Sequence, residues 1–284
     1  MKRARSMPLR PLQKYLERIP PIDEIPLDWD ATGYTSDAFN RHVQSDAFSG
    51  WEGDEATERE AAVIADVLRA QPGDCLLDVA CGYGRHAEVL AAGHGLRVTG
   101  LDVSPGLIAV AKRRAQERAL AIAYEAGNAR DLSWIGRFHH ALIAFNSFSL
   151  FSPADAPEVL RRINGALRRD GRFFLDLDNK PYACRYGTSA RNWHIAGDAL
   201  TLQEVYFHAD CSVEVNRDVT LHAQSGGIDE LVLFKRLYSR REIVRLLEQC
   251  RFRVDDVYGG WDLRPFAEDA PKLILGCTKH AASG

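Results

Sequence analysis

Apolar residues along this 284-residue chain follow two rhythms, and the change between them divides the sequence. From about residue 57 to residue 180, short continuous apolar runs alternate with longer stretches of helical spacing. Residues 75–79, 97–101, 141–145 and 172–177 are such runs, bounded by turn pairs such as Pro72-Gly73 and Asp170-Gly171. They are too short for helices and lack polar alternation, which predicts strands buried on both faces. A further short strand precedes Gly127. Residues 57–68, 85–92 and 104–118, and a stretch opened by Pro153 that reaches Arg169, place apolar residues three and four apart and predict amphipathic helices. Ser104-Pro105 adds an N-cap followed by proline at the first helical position. Strands and helices in alternation make the fold class α/β.

The second rhythm has period two. Residues 200–208, 211–221 and 228–237 predict an antiparallel meander. It is inserted before a last helix that opens on the capping box Ser239-Arg240-Arg241-Glu242 and ends near Cys250. Residues 254–258 and 272–277 supply a closing strand pair. Upstream, Pro8, Pro11, Pro20, Pro21 and Pro26 break up the first 54 residues. The organisation expected is an N-terminal arm or lid over 1–54, a core over 55–180 and 236–280, and an inserted antiparallel β cap over 181–235. Tyr34 or Trp51 of the arm is expected to help close the site.

The chemistry gathers at Asp78-Val79-Ala80-Cys81-Gly82-Tyr83-Gly84, where the first strand turns into a helix. Glycine lets the backbone take a positive φ and leaves room for a ligand, and the helix beginning at Arg85 points unbonded N–H groups at it. Gly82-Tyr83-Gly84-Arg85-His86-Ala87 also satisfies the dinucleotide pattern G-x-G-x-x-G/A, and Asp102, about 20 residues beyond, is the acid that grips a ribose diol in either reading.

With Asp78 at the end of the first strand, the stretch resembles the acid-x-Gly-x-Gly-x-Gly motif of the class I S-adenosylmethionine-dependent methyltransferases, small-molecule type. Ala80 stands in place of the first glycine, and a small side chain at negative φ is expected to suffice there. The resemblance continues through Leu101-Asp102-Val103-Ser104-Pro105 and Gly127-Asn128-Ala129-Arg130-Asp131-Leu132. It implies a Rossmann-like seven-stranded mixed sheet with helices on both faces, and S-adenosyl-L-methionine as cofactor. The residues it assigns to that cofactor are Asp78, Ala80, Cys81, Gly82, Tyr83, Gly84, Asp102, Val103, Asn128, Ala129, Phe145, Asn146 and Phe148. In this assignment Asp102 takes the ribose, the Asn128 carbonyl accepts from the adenine amino group, and Tyr83, Phe145 and Phe148 face the sulfonium.

A sulfonium methyl needs an aligned acceptor more than an elaborate catalytic apparatus. Should the acceptor carry a proton, His42, His194, Asp176, Asp178 and Tyr238 are the bases within reach of this architecture, with His194, Tyr238 and Asp178 the catalytic assignments. Arg191, Arg236 and Tyr238 offer charge-assisted bonds to an acidic acceptor. A formal net charge of −3 argues against nucleic acid and anionic membrane as general partners. The inserted cap points to a small-molecule acceptor.

The six cysteines are scattered, without C-x-x-C pairs or histidines at zinc-ligand spacing, so reduced thiols and no metal are expected. Cys81 reads as a small residue beside the ligand rather than as a nucleophile. With no apolar run of membrane length, the expected location is cytoplasmic. Three readings compete with small-molecule methylation. They are an RNA methyltransferase, suggested by Arg161, Arg162, Arg168, Arg169 and the basic run 235–245; an NAD-dependent oxidoreductase; and a noncatalytic cofactor-binding protein.

Overall fold

The computed structural model describes residues 14, 15, 17–29, 39, 54–186 and 191–280. Tyr34, His42 and Trp51 lie outside them, and so does the proposed closure by the arm. The elements run α1 (Asp54–Leu68), β1 (Cys75–Val79), α2 (Arg85–His94), β2 (Arg97–Asp102), α3 (Pro105–Glu117), β3 (Ala123–Ala126), β4 (Phe138–Ile143), α4 (Ala156–Ala166), β5 (Leu167–Asp178) and α5 (Lys180–Tyr186). They continue with β6 (Arg191–Ala196), β7 (Ala199–His208), β8 (Val213–His222), β9 (Ile228–Arg236), α6 (Arg240–Gln249), β10 (Phe252–Tyr258) and β11 (Lys272–Lys279). The chain divides into two compact units, one of residues 1–51 and 187–235 and the other of 52–186 and 236–284.

In the larger unit, seven strands line up as β10-β11-β5-β4-β1-β2-β3. β1 pairs in parallel with β2 and β4, β2 with β3, and β4 with β5, while β11 runs antiparallel to both β5 and β10. Neighbouring residues on each strand face opposite ways, and this sorts the core into two layers. Leu76, Leu142, Phe174 and Ile274 pack under Ala61 and Ile64 of α1, Leu90 of α2 and Ile108 of α3. Leu77, Ala141, Phe173 and Leu275 pack against Val159 and Ile163 of α4 and Ile243 and Leu247 of α6. Helices therefore cover both faces, which is why the strands read as unbroken apolar runs.

Two boundaries differ from the sequence reading for local reasons. α4 stops at Ala166, three residues before Arg169, and Asp170 takes φ +59° inside a register shift between β4 and β5. β4 begins at Phe138 and ends at Ile143. Its first turns were hidden by polar His139 and His140, whose rings are engaged at the amino end of the sheet. Cys75 N–H donates to His139 Nδ1 at 2.8 Å, and His140 Nε2 lies 2.9 Å from Asp74 Oδ2.

The smaller unit holds a four-stranded sheet in the order β6-β7-β8-β9, with β6–β7 and β7–β8 antiparallel. Val213, Val215 and Phe234 of this sheet gather Ile22, Ile25, Leu27 and Trp29 from the N-terminal segment, and the Trp29 and Phe234 rings meet edge to face at 5.6 Å. Arg217 reinforces the contact by donating to the Pro20 carbonyl at 2.6 Å while pairing with Glu204. The arm and the cap, read from sequence as separate pieces, thus share one apolar cluster. β6 was not foreseen as a strand, because Trp193 and Ile195 alternate with polar residues over only six positions.

Candidate functional site

The carboxyl end of β1 leads into a tightly constrained turn. Gly84 N–H donates to the Cys81 carbonyl at 3.0 Å, and Cys81 N–H donates to the Leu101 carbonyl at 3.1 Å. Ala80 sits at φ +57°, Gly82 at +57° and Gly84 at +83°. The expectation of a negative φ at position 80 is therefore corrected. All three positions of the motif take the left-handed conformation, and an L-residue there is strained. The two glycines serve different ends. A Cβ on Gly82 would meet nothing within 4 Å, so that side of the turn lies open, whereas a Cβ on Gly84 would fall on the Tyr124 hydroxyl. Gly84 is required by packing against β3, and Gly82 gives a ligand access.

Two carboxyls face this turn. Asp102 Oδ2 accepts from Gly82 N–H at 2.8 Å and Oδ1 from Ser104 N–H at 2.9 Å, so the side chain ties the turn to the end of β2. Each carboxylate oxygen keeps acceptor capacity for a further donor such as a diol hydroxyl. Burial raises the Asp102 pKa against the pull of these two amides. Asp78, only 3% exposed, is pushed up to about 8 by burial, with the charge of Asp102 adding to the rise and Arg85 opposing it. Cys81 is raised well above the normal thiol range, chiefly by burial and then by Asp78 and Asp102, which suits a space-filling residue and not a nucleophile.

Arg85, at the start of α2, organises the neighbouring ground. Its Nη1 donates to Glu60 Oε2 at 2.6 Å and to Thr57 Oγ1 at 3.1 Å, both on α1, and its guanidinium carbon lies 4.7 Å from the centre of the Phe145 ring. His86 Nε2 is 2.8 Å from the same Glu60 oxygen. Burial alone would raise Glu60, but the bond to His86 and the Arg85 charge prevail and hold it low. His86 is lowered by burial, against the pull of Glu60. Tyr83 is backed in a similar way by Arg114, 5.3 Å from its ring centre, and Arg114 Nε is fixed at 2.8 Å on buried Glu88. Sequence reasoning missed Thr57, Glu60, Arg85, Arg114 and Tyr124. The available signal was polar Thr57 and Glu60 beside the apolar stripe of α1, which a purely solvated helix face would not need.

Other assigned residues take altered roles. Phe148 is fully buried, packed against Phe151 and Tyr238 at 5.9 and 5.7 Å, so it belongs to the core and not to a ligand surface. The Asn128 carbonyl oxygen accepts from Arg130 N–H at 3.0 Å and Arg130 Nε at 3.4 Å, capping the short turn that carries Ala129, so the carbonyl expected to face a ligand is already engaged. Asn146 is likewise engaged, its Nδ2 donating to Asp178 Oδ2 at 2.8 Å. Val103 and Phe145 remain exposed, at 42% and 39%.

Among the assigned bases, Tyr238 is raised to about 12 by burial, Arg236 pulling the other way, and so keeps its proton at neutral pH. Asp178 receives Lys272 Nζ at 2.8 Å, and Asp176 is fully buried and raised, chiefly by burial. His194 stands opposite Thr201 in the four-stranded sheet, and Arg191 opposite Glu204, in the unit that does not hold the turn. Arg236 is occupied by Glu242 at 2.8 Å.

A buried carboxyl pair beside an open glycine suits a ligand that brings positive charge and a diol, and it opposes a pyrophosphate. The family model described as a methyltransferase domain matches residues 76–171, the stretch that contains this turn, Asp102 and Asn128. Residues 76–171 are similar to a methyltransferase domain.

Curated relatives agree with this domain. A 2-phytyl-1,4-naphtoquinone methyltransferase from Synechococcus elongatus is 35% identical over 118 residues, covering 40% of this chain and 50% of that protein. A dTDP-3-amino-3,6-dideoxy-alpha-D-glucopyranose N,N-dimethyltransferase from Streptomyces fradiae is 35% identical over 116 residues, 40% of this chain and 44% of that one. The chain thus spans about half the length of these relatives. Among solved structures, the CcbJ methyltransferase from Streptomyces caelestis superposes with a TM-score of 0.73 at 18% identity over 89% of this chain and all of that one, a likeness of fold.

Proposed function

We propose that the chain is an S-adenosylmethionine-dependent methyltransferase acting on a small-molecule acceptor in the cytoplasm. The observation that carries this reading is the buried Asp78 and Asp102 pair at the open Gly82 turn. Asp102 has acceptor capacity left for the ribose hydroxyls. Asp78 favours the ammonium of the amino-acid moiety, because a cation beside it offsets the cost of burying its charge. The Asn128 amide and Ala129 border the adenine, with Val103 beside the ribose acid, and Tyr83 and Phe145 supply aromatic faces to the positive end. Free thiols at all six cysteines accord with the cytoplasm, and no helix among the described residues is long and apolar enough to cross a membrane.

Bound S-adenosylmethionine supplies an electrophilic methyl group on a sulfonium. The chain's own residues then align the acceptor and keep water out. Tyr238 keeps its proton at neutral pH and so does not act as the base, while Asp178 accepts from Lys272 Nζ at 2.8 Å. Several of the basic side chains that suggested RNA are paired with acids. Arg161 and Arg162 pair with Glu158, Lys235 with Glu214 and Arg236 with Glu242. The partners of the curated relatives, a quinone and a nucleotide-linked amino sugar by their names, are small molecules too.

A transfer assay with S-adenosylmethionine labelled in its methyl group, run against a metabolite panel and against total RNA, tests the acceptor class. Label is expected in one or a few metabolites. Label in RNA alone overturns the small-molecule reading, and binding without transfer to either favours the noncatalytic alternative.

A further inference from the structure

The loop after β4 holds an arrangement that the cofactor assignment does not explain. Phe145 and Asn146 are consecutive, neither is glycine, and both take φ +57°. Two left-handed L-residues in a row cost energy and persist only where their surroundings over-determine them. The Asn146 side chain provides that determination. Its Oδ1 accepts from Ser149 Oγ at 2.6 Å and from Asp178 N–H at 3.1 Å, and its Nδ2 donates to Asp178 Oδ2 at 2.8 Å. Its own N–H donates to Asp176 Oδ2 at 3.1 Å. Lys272 Nζ holds the far side of Asp178 at 2.8 Å and lies 3.7 Å from Asp176 Oδ1. A donor on one side and a carboxylate on the other fix which way the amide points. The preceding residue, Phe145, has Arg85 stacked on its ring and remains 39% exposed.

We propose that Asn146 is a positioning residue, whose side chain, clamped between Asp178 and Ser149, locks the left-handed pair that presents Phe145 beside Arg85 to the cofactor. This rests on the reading that S-adenosylmethionine occupies the Gly82 turn. Asn146 itself touches no reacting atom. Its contribution is to keep the ring of Phe145 on the ligand side when relaxation of the loop would turn it away. Asparagine suits the position doubly, since it tolerates the left-handed region better than most side chains and its amide satisfies a donor and an acceptor together.

Three kinds of variant test the clamp. Asn146→Gly keeps the left-handed backbone at no steric cost and removes the side-chain ties. Asn146→Asp loses the donor to Asp178, and the double variant Asn146→Asp with Asp178→Asn restores the bond with its polarity reversed. In ligand-free hydrogen exchange, the amides of 147–151 are expected to exchange about tenfold faster in Asn146→Gly, a larger change than at the amides of the core strands. In calorimetric titration, affinity for S-adenosylmethionine is expected to fall about fivefold in both Asn146→Gly and Phe145→Ala. Combining the two changes is expected to weaken binding no further than Phe145→Ala alone. The exchanged pair should recover most of what Asn146→Asp loses. Wild-type affinity in Asn146→Gly, or losses that add in the combined variant, would overturn the proposal. If the wild-type chain takes no S-adenosylmethionine, the cofactor reading falls by itself, and exchange decides the clamp: faster exchange in Asn146→Gly supports it and unchanged exchange overturns it.

Discussion

The Tyr124 hydroxyl lies 3.5 Å from the Gly84 carbonyl oxygen, and its ring occupies the space that any side chain at position 84 would need. The second glycine of the motif is thus set by a residue 40 positions away on β3. Gly84→Ala combines a left-handed strain with an overlap, and should destabilise the chain by about 3 kcal/mol in denaturant titration. Tyr124→Phe removes the atom most in the way, so in that background the same substitution should cost about 1 kcal/mol less.

At the other end of the turn, Ala80 holds φ +57° with a Cβ. Ala80→Gly relieves this strain, although glycine gives back part of the gain through the greater freedom of the unfolded chain. A net stabilisation of about 0.5–1 kcal/mol is expected, read as a higher denaturation midpoint at unchanged slope.

These two positions show what was legible in the sequence and what was not. Signals confined to a few neighbouring residues carried over. Ser104 accepts from Leu107 N–H at 3.3 Å as an N-cap, and Ser239 and Glu242 form both bonds of the capping box. The apolar runs became strands because burial on both faces leaves no room for polar alternation. Pairings across the fold left no such trace. Arg114 of α3 and Arg118 just beyond it pair with Glu88 of α2, a contact that no local pattern signals. Asn128 and Asn146 read as ligand groups, yet the Asn128 oxygen caps its own turn by accepting from Arg130 N–H, and the Asn146 amide is taken by Ser149 and by Asp178 on β5.

Glu88 makes that hidden pairing measurable. It is 1% exposed at its side chain and holds Arg114 at 2.8 Å and Arg118 at 3.1 Å. Glu88→Gln leaves both arginines able to reach water, so the cost should be about 1–2 kcal/mol and less than that of a fully buried pair. Loss of the anchor also frees Arg114 from Tyr83. Weaker cofactor binding should accompany the lower stability.

The Asp78 carboxyl gives the pH dependence its sign. Raised to about 8 by burial and by Asp102, it binds a proton in the folded state at pH values where the unfolded chain has lost it. Its stabilising contribution is complete below about pH 4 and is lost as pH rises through about 8, so the ligand-free chain should lose stability across that window. Asp78→Asn should flatten the slope. A cation bound beside Asp78 favours the ionised form, so S-adenosylmethionine should release protons on binding at pH 7. The measurement is calorimetry in buffers of different ionisation enthalpy, and equal heats in all of them would contradict it.

The central claim is that the Gly82 turn and its two carboxyls are shaped for an adenosyl sulfonium. Isothermal titration of the purified chain with S-adenosylmethionine, with NAD and with S-adenosylmethionine against Asp102→Ala tests it most directly. One S-adenosylmethionine per chain is predicted, weakened at least about tenfold by Asp102→Ala, with no heat from NAD. No binding of S-adenosylmethionine, or saturable binding of NAD that Asp102→Ala abolishes, would contradict it.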